Sequence, residues 1–237
     1  MSEEVDTRIT PSLHPLNIRE LEDYGDDTAP YLGQSETALS TAYLGFQDIH
    51  AAREAAAKDP TLNPAAQAIK TDDYARRVFG KITQSFDSAS ANLDRTITAL
   101  EQQLTAPIES KASHGISAEI RAFVKGLDTG ERMSFLQKAI ERGDIQSASS
   151  VLGAPAYLSG LDADMQATFV RLYHERMSPR EAKQVRAMKA AKALIEDRGP
   201  LLFKELEKSV GMPLARVHAL RAAKTESERA FVLRDGN

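Results

Sequence analysis

Residues 65–104 read AAQAIKTDDYARRVFGKITQSFDSASANLDRTITALEQQL. Along this stretch Phe79, Ile82, Phe86, Ala89, Leu93, Ile97, Leu100 and Leu104 recur in steps of three and four, a heptad pattern with one slip. A half-buried strand would alternate in steps of two. Steps of three and four put these side chains on one stripe of a helix. At 1.5 Å per residue such a helix spans about 60 Å. One neighbouring helix cannot cover a seam that long, so it either packs on the helices that follow or pairs with other subunits. Asn63 as N-cap and Pro64 at the first helical position start it, and Ala106-Pro107 closes it. Gly80 and the Asp72-Asp73 pair mark where it could split near its start.

On the N-terminal side the spacing predicts a helix over 36–58, capped by Ser35, with Leu39, Ala42, Phe46 and Ile49 as its stripe. Asp59-Pro60 ends it, because proline disfavours helix in the residue before it. The two helices form a coiled-coil-like hairpin over 35–106. Residues 107–237 read as a bundle of shorter helices punctuated by caps and glycines. They are 117–125, 128–142 capped by Asp128, 144–152 capped by Asp144, and 161–177 with Met165, Phe169, Leu172 and Tyr173 as apolar face. Ser178-Pro179 opens a helix to about Asp197, which Gly199-Pro200 breaks. Helices over 200–210 and 213–223 follow, and Thr225 caps a last turn through Leu233. The fold class is all-α: an extended arm over 1–34, the long-helix hairpin, and the C-terminal bundle.

The arm carries Pro11, Pro15 and Pro30, yet Leu13, Leu16, Ile18, Leu21, Tyr24 and Tyr31 are too many apolar residues for a purely solvated segment. Beside their prolines, Leu13, Leu16 and Ile18 read as extended. Asn17 caps about two helical turns as far as Tyr24, with Glu20 at the capping-box position. These six apolar side chains are the candidate partner-binding residues, laid on a neighbouring subunit or across the chain's own body.

Composition narrows the function. The 237 residues include no Cys and no Trp, and aromatic residues make up 6%. Disulfide frameworks, thiol catalysis and cysteine zinc sites are excluded. The acidic, polar start is unlike a signal peptide, and no apolar run is long enough to span a membrane. Charge is polarised: residues 1–34 hold eight acids and two bases, whereas 171–234 hold fifteen bases and eight acids. Such a chain can pair with copies of itself or offer two faces to different partners.

No motif for catalysis stands out. Asp128-Thr129-Gly130 matches the short aspartic-protease signature, but that chemistry needs two carboxylates on a β scaffold, and here the Asp opens a helix. His14, His50, His114, His174 and His218 include no pair at i, i+4, so no helical metal site has local support. Asp162 and Asp164 lack the other oxygen ligands of a calcium loop and read as caps. GxGxxG, GxxxxGK[ST] and GxSxG are absent. No catalytic residue, cofactor or metal is expected.

Two basic features are candidate nucleic-acid contacts. Lys183, Arg186 and Lys189 belong to a row at spacing three, which winds around a helix by about 60° per step and so presents only neighbours together. The stretch 206–220 resembles the helix-turn-helix of DNA-binding proteins, with Gly211 at the turn and Arg216 and Arg221 offered to a groove. It departs from that family at Glu207, where a small residue is usual, and at Pro213 and Leu214.

Residues 139–178, AIERGDIQSASSVLGAPAYLSGLDADMQATFVRLYHERMS, are similar to segments of small uncharacterised helical proteins encoded among tailed-phage structural genes. Arg142-Gly143-Asp144, the run 151–155 and the run 157–161 carry the resemblance. It implies a virion or head-assembly role and transfers no catalytic residue. The expectation is therefore a non-enzymatic, oligomer-forming structural protein, found in a virion or bacterial cytoplasm. Its partners would be itself and other structural proteins, without a membrane. The alternative is a DNA-binding regulator using 201–223.

Overall fold

The computed structural model describes residues 6–231, and among them there is no strand. The helices are α1 (Leu16–Arg19), α2 (Ala29–Ala57), α3 (Pro64–Leu104), α4 (His114–Gly126), α5 (Thr129–Arg142), α6 (Ile145–Leu152), α7 (Ala163–Met177), α8 (Pro179–Val210) and α9 (Leu214–Arg229). Short 3-10 turns lie at Pro11–Leu13 and Ala156–Leu158. The protein is all-α, as its periodicity requires. Two compact units divide it: the described part of 1–94 with 189–237, and Arg95–Met188. This differs from three consecutive segments, because the divisions fall inside α3 and α8 instead of at the Pro and Gly breaks.

In the first unit α2 and α3 pack through Gly45, where a Cβ would lie 2.9 Å from Val78 Cγ1 and 3.0 Å from Ile82 Cδ1. Leu39, Phe46, Ile49, Ile82 and Leu93 are sealed in this core. The Asn63 side chain accepts the Ala66 N–H at 2.9 Å, so the start of α3 is capped as its sequence dictates. α3 does not split at Asp72-Asp73 or at Gly80. Asp72 is buried against two arginines, and Gly80 faces open space.

Ser35 is not a cap. α2 begins at Ala29 with Pro30 in its first turn, and Ser35 is buried mid-helix with its hydroxyl unpartnered. Nor does Pro200 break α8. Proline inside a helix loses one backbone hydrogen bond and crowds the carbonyl four residues back and the residue before it; Gly199, with no Cβ, relieves the last of these. Ile195, Leu202, Leu206 and Val210 are buried on both sides of Pro200, which holds the helix together. The final turn expected from Thr225 is part of α9, and Leu233 lies outside the described residues.

In the second unit α4, α5, α6 and α7 close around Val124, Leu136, Val151, Leu161 and Phe169. Asp128 and Glu131 form a reciprocal capping box on α5, and Gly143 ends that helix at φ 70°. Asp144 and Asp162 cap α6 and α7. Leu172, expected on the α7 apolar face, is 41% exposed. Leu104, Ala182 and Val185 form a smaller cluster where α3 and α8 enter this unit.

Candidate interaction surfaces

The arm is part of its own unit. Leu13 and Ile18 are completely buried within the chain, so they are not available to a partner. Leu16 is 43% exposed, and Leu21, Tyr24 and Tyr31 are half-buried. Local turns replace the extended backbone expected at the prolines. Pro11–Leu13 makes a 3-10 turn, and α1 starts at Leu16 with Pro15 as its N-cap. Asn17 is not a cap: its amide donates to the carbonyls of Pro11 and His14. Side chains then fasten the arm. The Tyr43 hydroxyl accepts the Asp6 N–H at 2.7 Å, Arg8 pairs with Glu54 at 2.6 Å, and Arg198 donates to the Ser12 carbonyl at 3.1 Å. Hydrogen bonds from Arg8 hold the Asp6 carboxyl at about 2, well below the usual range.

Of the candidate nucleic-acid residues, Lys183 and Arg186 belong to the second unit and Lys189, Arg216 and Arg221 to the first. Arg221 is committed within the chain: it meets Asp72 Oδ2 at 2.6 Å and Asp73 Oδ1 at 2.6 Å, and so pins α9 to α3. It cannot also serve a DNA groove. Arg216 is exposed on the first turn of α9; on α8, Arg186 and Lys189 are exposed and Lys183 is half-buried. The turn between α8 and α9 also explains the departure at Glu207. Its carboxylate accepts the Leu214 N–H at 3.2 Å and caps α9, a task a small residue could not perform. Gly211 adopts φ 78°, and Arg53 fills the space where its Cβ would stand.

One grouping has the composition of catalytic machinery. His50 Nε2 lies 3.3 Å from Ser209 Oγ, which donates to the Glu205 carbonyl at 2.7 Å. With that proton committed, Nε2 carries the imidazole hydrogen, and Nδ1 is left buried without a partner. Burial, then Arg53 and Arg8, push the His50 pKa down. Ser209 is fully buried and His50 is 3% exposed, so no substrate reaches the pair. No group of three or more potential metal ligands exists among the described residues, and no helix there is long and apolar enough to cross a membrane.

The uncovered apolar surface lies elsewhere. α4 meets its unit through Ser117 and Val124, yet its apolar residues continue sideways to Ile116, 44% exposed, and Phe123, 58% exposed. Phe123 stacks edge-on against Phe135 of α5 at 5.6 Å. The turn Ala156–Leu158 packs on α4 and carries Tyr157, 69% exposed. Arg132 holds these parts in place: its guanidinium donates to the carbonyls of Val124, Lys125, Leu127 and Gly160. Beneath, Ser117 Oγ lies 2.8 Å from Ser110 Oγ and 3.2 Å from Ser150 Oγ, small hydroxyls that let α4 and α6 approach closely. A second opening of about 450 Å³ is lined chiefly by Pro107, Ile108, Leu152, Ala163, Ala167 and Val170. Sequence reasoning missed the α4 surface. Its signal was an apolar stripe at 116, 120, 123, 124 and 127, wider than one buried contact needs.

Compared with protein-family models, with curated proteins and with solved structures, the chain gives no match.

Proposed function

We propose that this chain is a non-enzymatic structural or assembly protein that associates with itself and with other structural proteins, as a component of a phage virion or of head assembly. The observation that carries this reading is where the uncovered apolar side chains lie. Of the twelve large apolar residues exposed among the described residues, eight fall within 95–188. Scattered exposed apolar residues are ordinary, but exposed Phe123 is joined to half-buried Phe135, and exposed Tyr157 stands on a turn that packs on the same helix, α4. Aromatic side chains of that kind anchor protein interfaces. The similarity of 139–178 to phage structural-gene products supports the same role. The regulator alternative loses Arg221 to Asp72 and Asp73, and with it half of its groove-reading pair.

Sedimentation of the purified protein across a concentration series tests the proposal. The intact chain is expected to associate as concentration rises, and Phe123→Ser with Tyr157→Ser to weaken that association while helicity stays unchanged. An intact chain that stays monomeric and captures no structural partner would sink the assembly reading. A tight, sequence-selective DNA complex at physiological salt would replace it with the regulator.

A further inference from the structure

The first unit carries an open groove and an uncovered helix that match each other. From Ala222 to Phe231 every residue of α9 and its last turn is exposed, and Phe231 is 83% exposed. Two further turns of helix exposed at every residue are marginal by themselves. On the other side, α2 and α3 leave between them a groove of about 550 Å³ running past Leu44, itself 54% exposed. Thr41, Leu44 and Asp48 line the α2 wall, seven positions apart from first to last. Lys224 and Ser227 of α9 and Phe231 in the turn after it are likewise seven positions apart from first to last. The Thr41 hydroxyl is spent on the Thr37 carbonyl at 2.8 Å.

We infer that the exposed part of α9 from a second copy of this chain occupies the α2–α3 groove, running antiparallel to α2. Charge selects the occupant and its direction. The charged side chains lining the groove are Asp48, Arg77 and Lys81. Arg77 lies over the Tyr74 ring at 6.0 Å, and Asp48 and Lys81, at different points along the groove, are exposed and make no ion pair among the described residues. Antiparallel docking brings Lys224 to Asp48, Glu228 to Lys81, and Phe231 over Thr41 beside Leu44. Lys224 and Glu228 are joined within α9 only by a 3.6 Å pair between exposed side chains, weak enough to be exchanged. Reversing the direction would set Lys224 against Lys81. Groove and occupant are different patches, so the contact is heterologous and builds rings or filaments unless two copies exchange helices. This rests on the self-association proposed above and names one surface for it.

The test is charge reversal in the full chain, read by sedimentation equilibrium. Asp48→Lys and Lys224→Asp are each expected to weaken association by about tenfold, and the double variant to restore it to within about threefold. Both positions are exposed, and helicity by circular dichroism checks that neither change unfolds the chain. Because the protein has no Cys, mixing a Thr41→Cys variant with an Ala230→Cys variant provides a second measure. A disulfide-linked heterodimer is expected under mild oxidation. If the intact chain associates and the reversals leave its affinity unchanged, or no heterodimer forms, this assignment is wrong while self-association stands. An intact chain that is monomeric at every concentration removes both.

Discussion

Asp72 has 1% side-chain exposure, and two arginines, Arg76 and Arg221, share one of its carboxylate oxygens while the other is buried without a partner. Removing one cation from a buried carboxylate costs far more than removing an exposed one. Arg221→Ala is expected to lower unfolding stability by about 3 kcal/mol, with Arg76 limiting the loss. Arg216→Ala should stay within about 0.5 kcal/mol, since Arg216 is exposed. Urea denaturation of both variants decides this, and equal effects would mean that Arg221 is not a structural clamp. The sequence offered Arg216 and Arg221 on one helix as groove contacts. It could not show that a carboxylate 149 positions away claims one of them. His50 yields a second expectation at this scale. Burial depresses its pKa in the folded chain, whereas the unfolded chain keeps the usual value of about 6.5. Between the two the unfolded chain binds more protons, so stability rises with pH there. The His50 contribution is present above about pH 6.5 and is lost as pH falls through the folded value. Urea midpoints should drop from about pH 7.5 to about pH 5.5 in the intact chain and drop less in His50→Gln. Equal slopes would assign the acid sensitivity to other groups.

Helix starts and stops were legible in the sequence wherever a local hydrogen bond writes them. Asn63, Asp128, Asp144 and Asp162 each cap a helix through a side-chain oxygen, and a cap needs only a few residues of context. Ser35 and Pro200 misled for the opposite reason: tertiary burial of Leu32, Leu39, Ile195 and Leu202 carries helix through residues that locally signal a boundary. Glycine separates the two kinds of information again. Gly45→Ala is expected to destabilise by about 1–3 kcal/mol, because its Cβ would press on Val78 and Ile82 in the α2–α3 contact. Gly80→Ala on α3 meets nothing within 4 Å and should instead stabilise by about 0.5–1 kcal/mol. Thermal melts of the pair, opposite in sign, check both. A Gly45→Ala variant as stable as the parent would show that the two helices can move apart freely.

At the scale of the whole molecule the sequence supplied the helices but not their grouping, because α3 and α8 each contribute to both units and nothing along the chain marks residues 94 or 188. The arm shows the same limit. Its apolar residues signalled burial correctly, and only the folded chain assigns that burial to α2 and its neighbours instead of a second subunit. Ile9, Leu13 and Ile18 are at most 1% exposed. Withdrawing three such side chains from water contributes on the order of 5–8 kcal/mol before the cost of ordering the segment. Deleting residues 1–28 exposes the surfaces they covered, including the ring of Tyr43, against which His14 stacks at 4.9 Å. The truncated chain is therefore expected to melt at lower temperature and lower urea concentration, even at protein concentrations where the intact chain is monomeric. If arm burial were intermolecular, truncation would leave the dilute protein unchanged and shift only its association. Melting curves of both chains at two concentrations separate these outcomes. A truncated protein as stable as the intact one when dilute would return the arm to the role of a partner-binding strap.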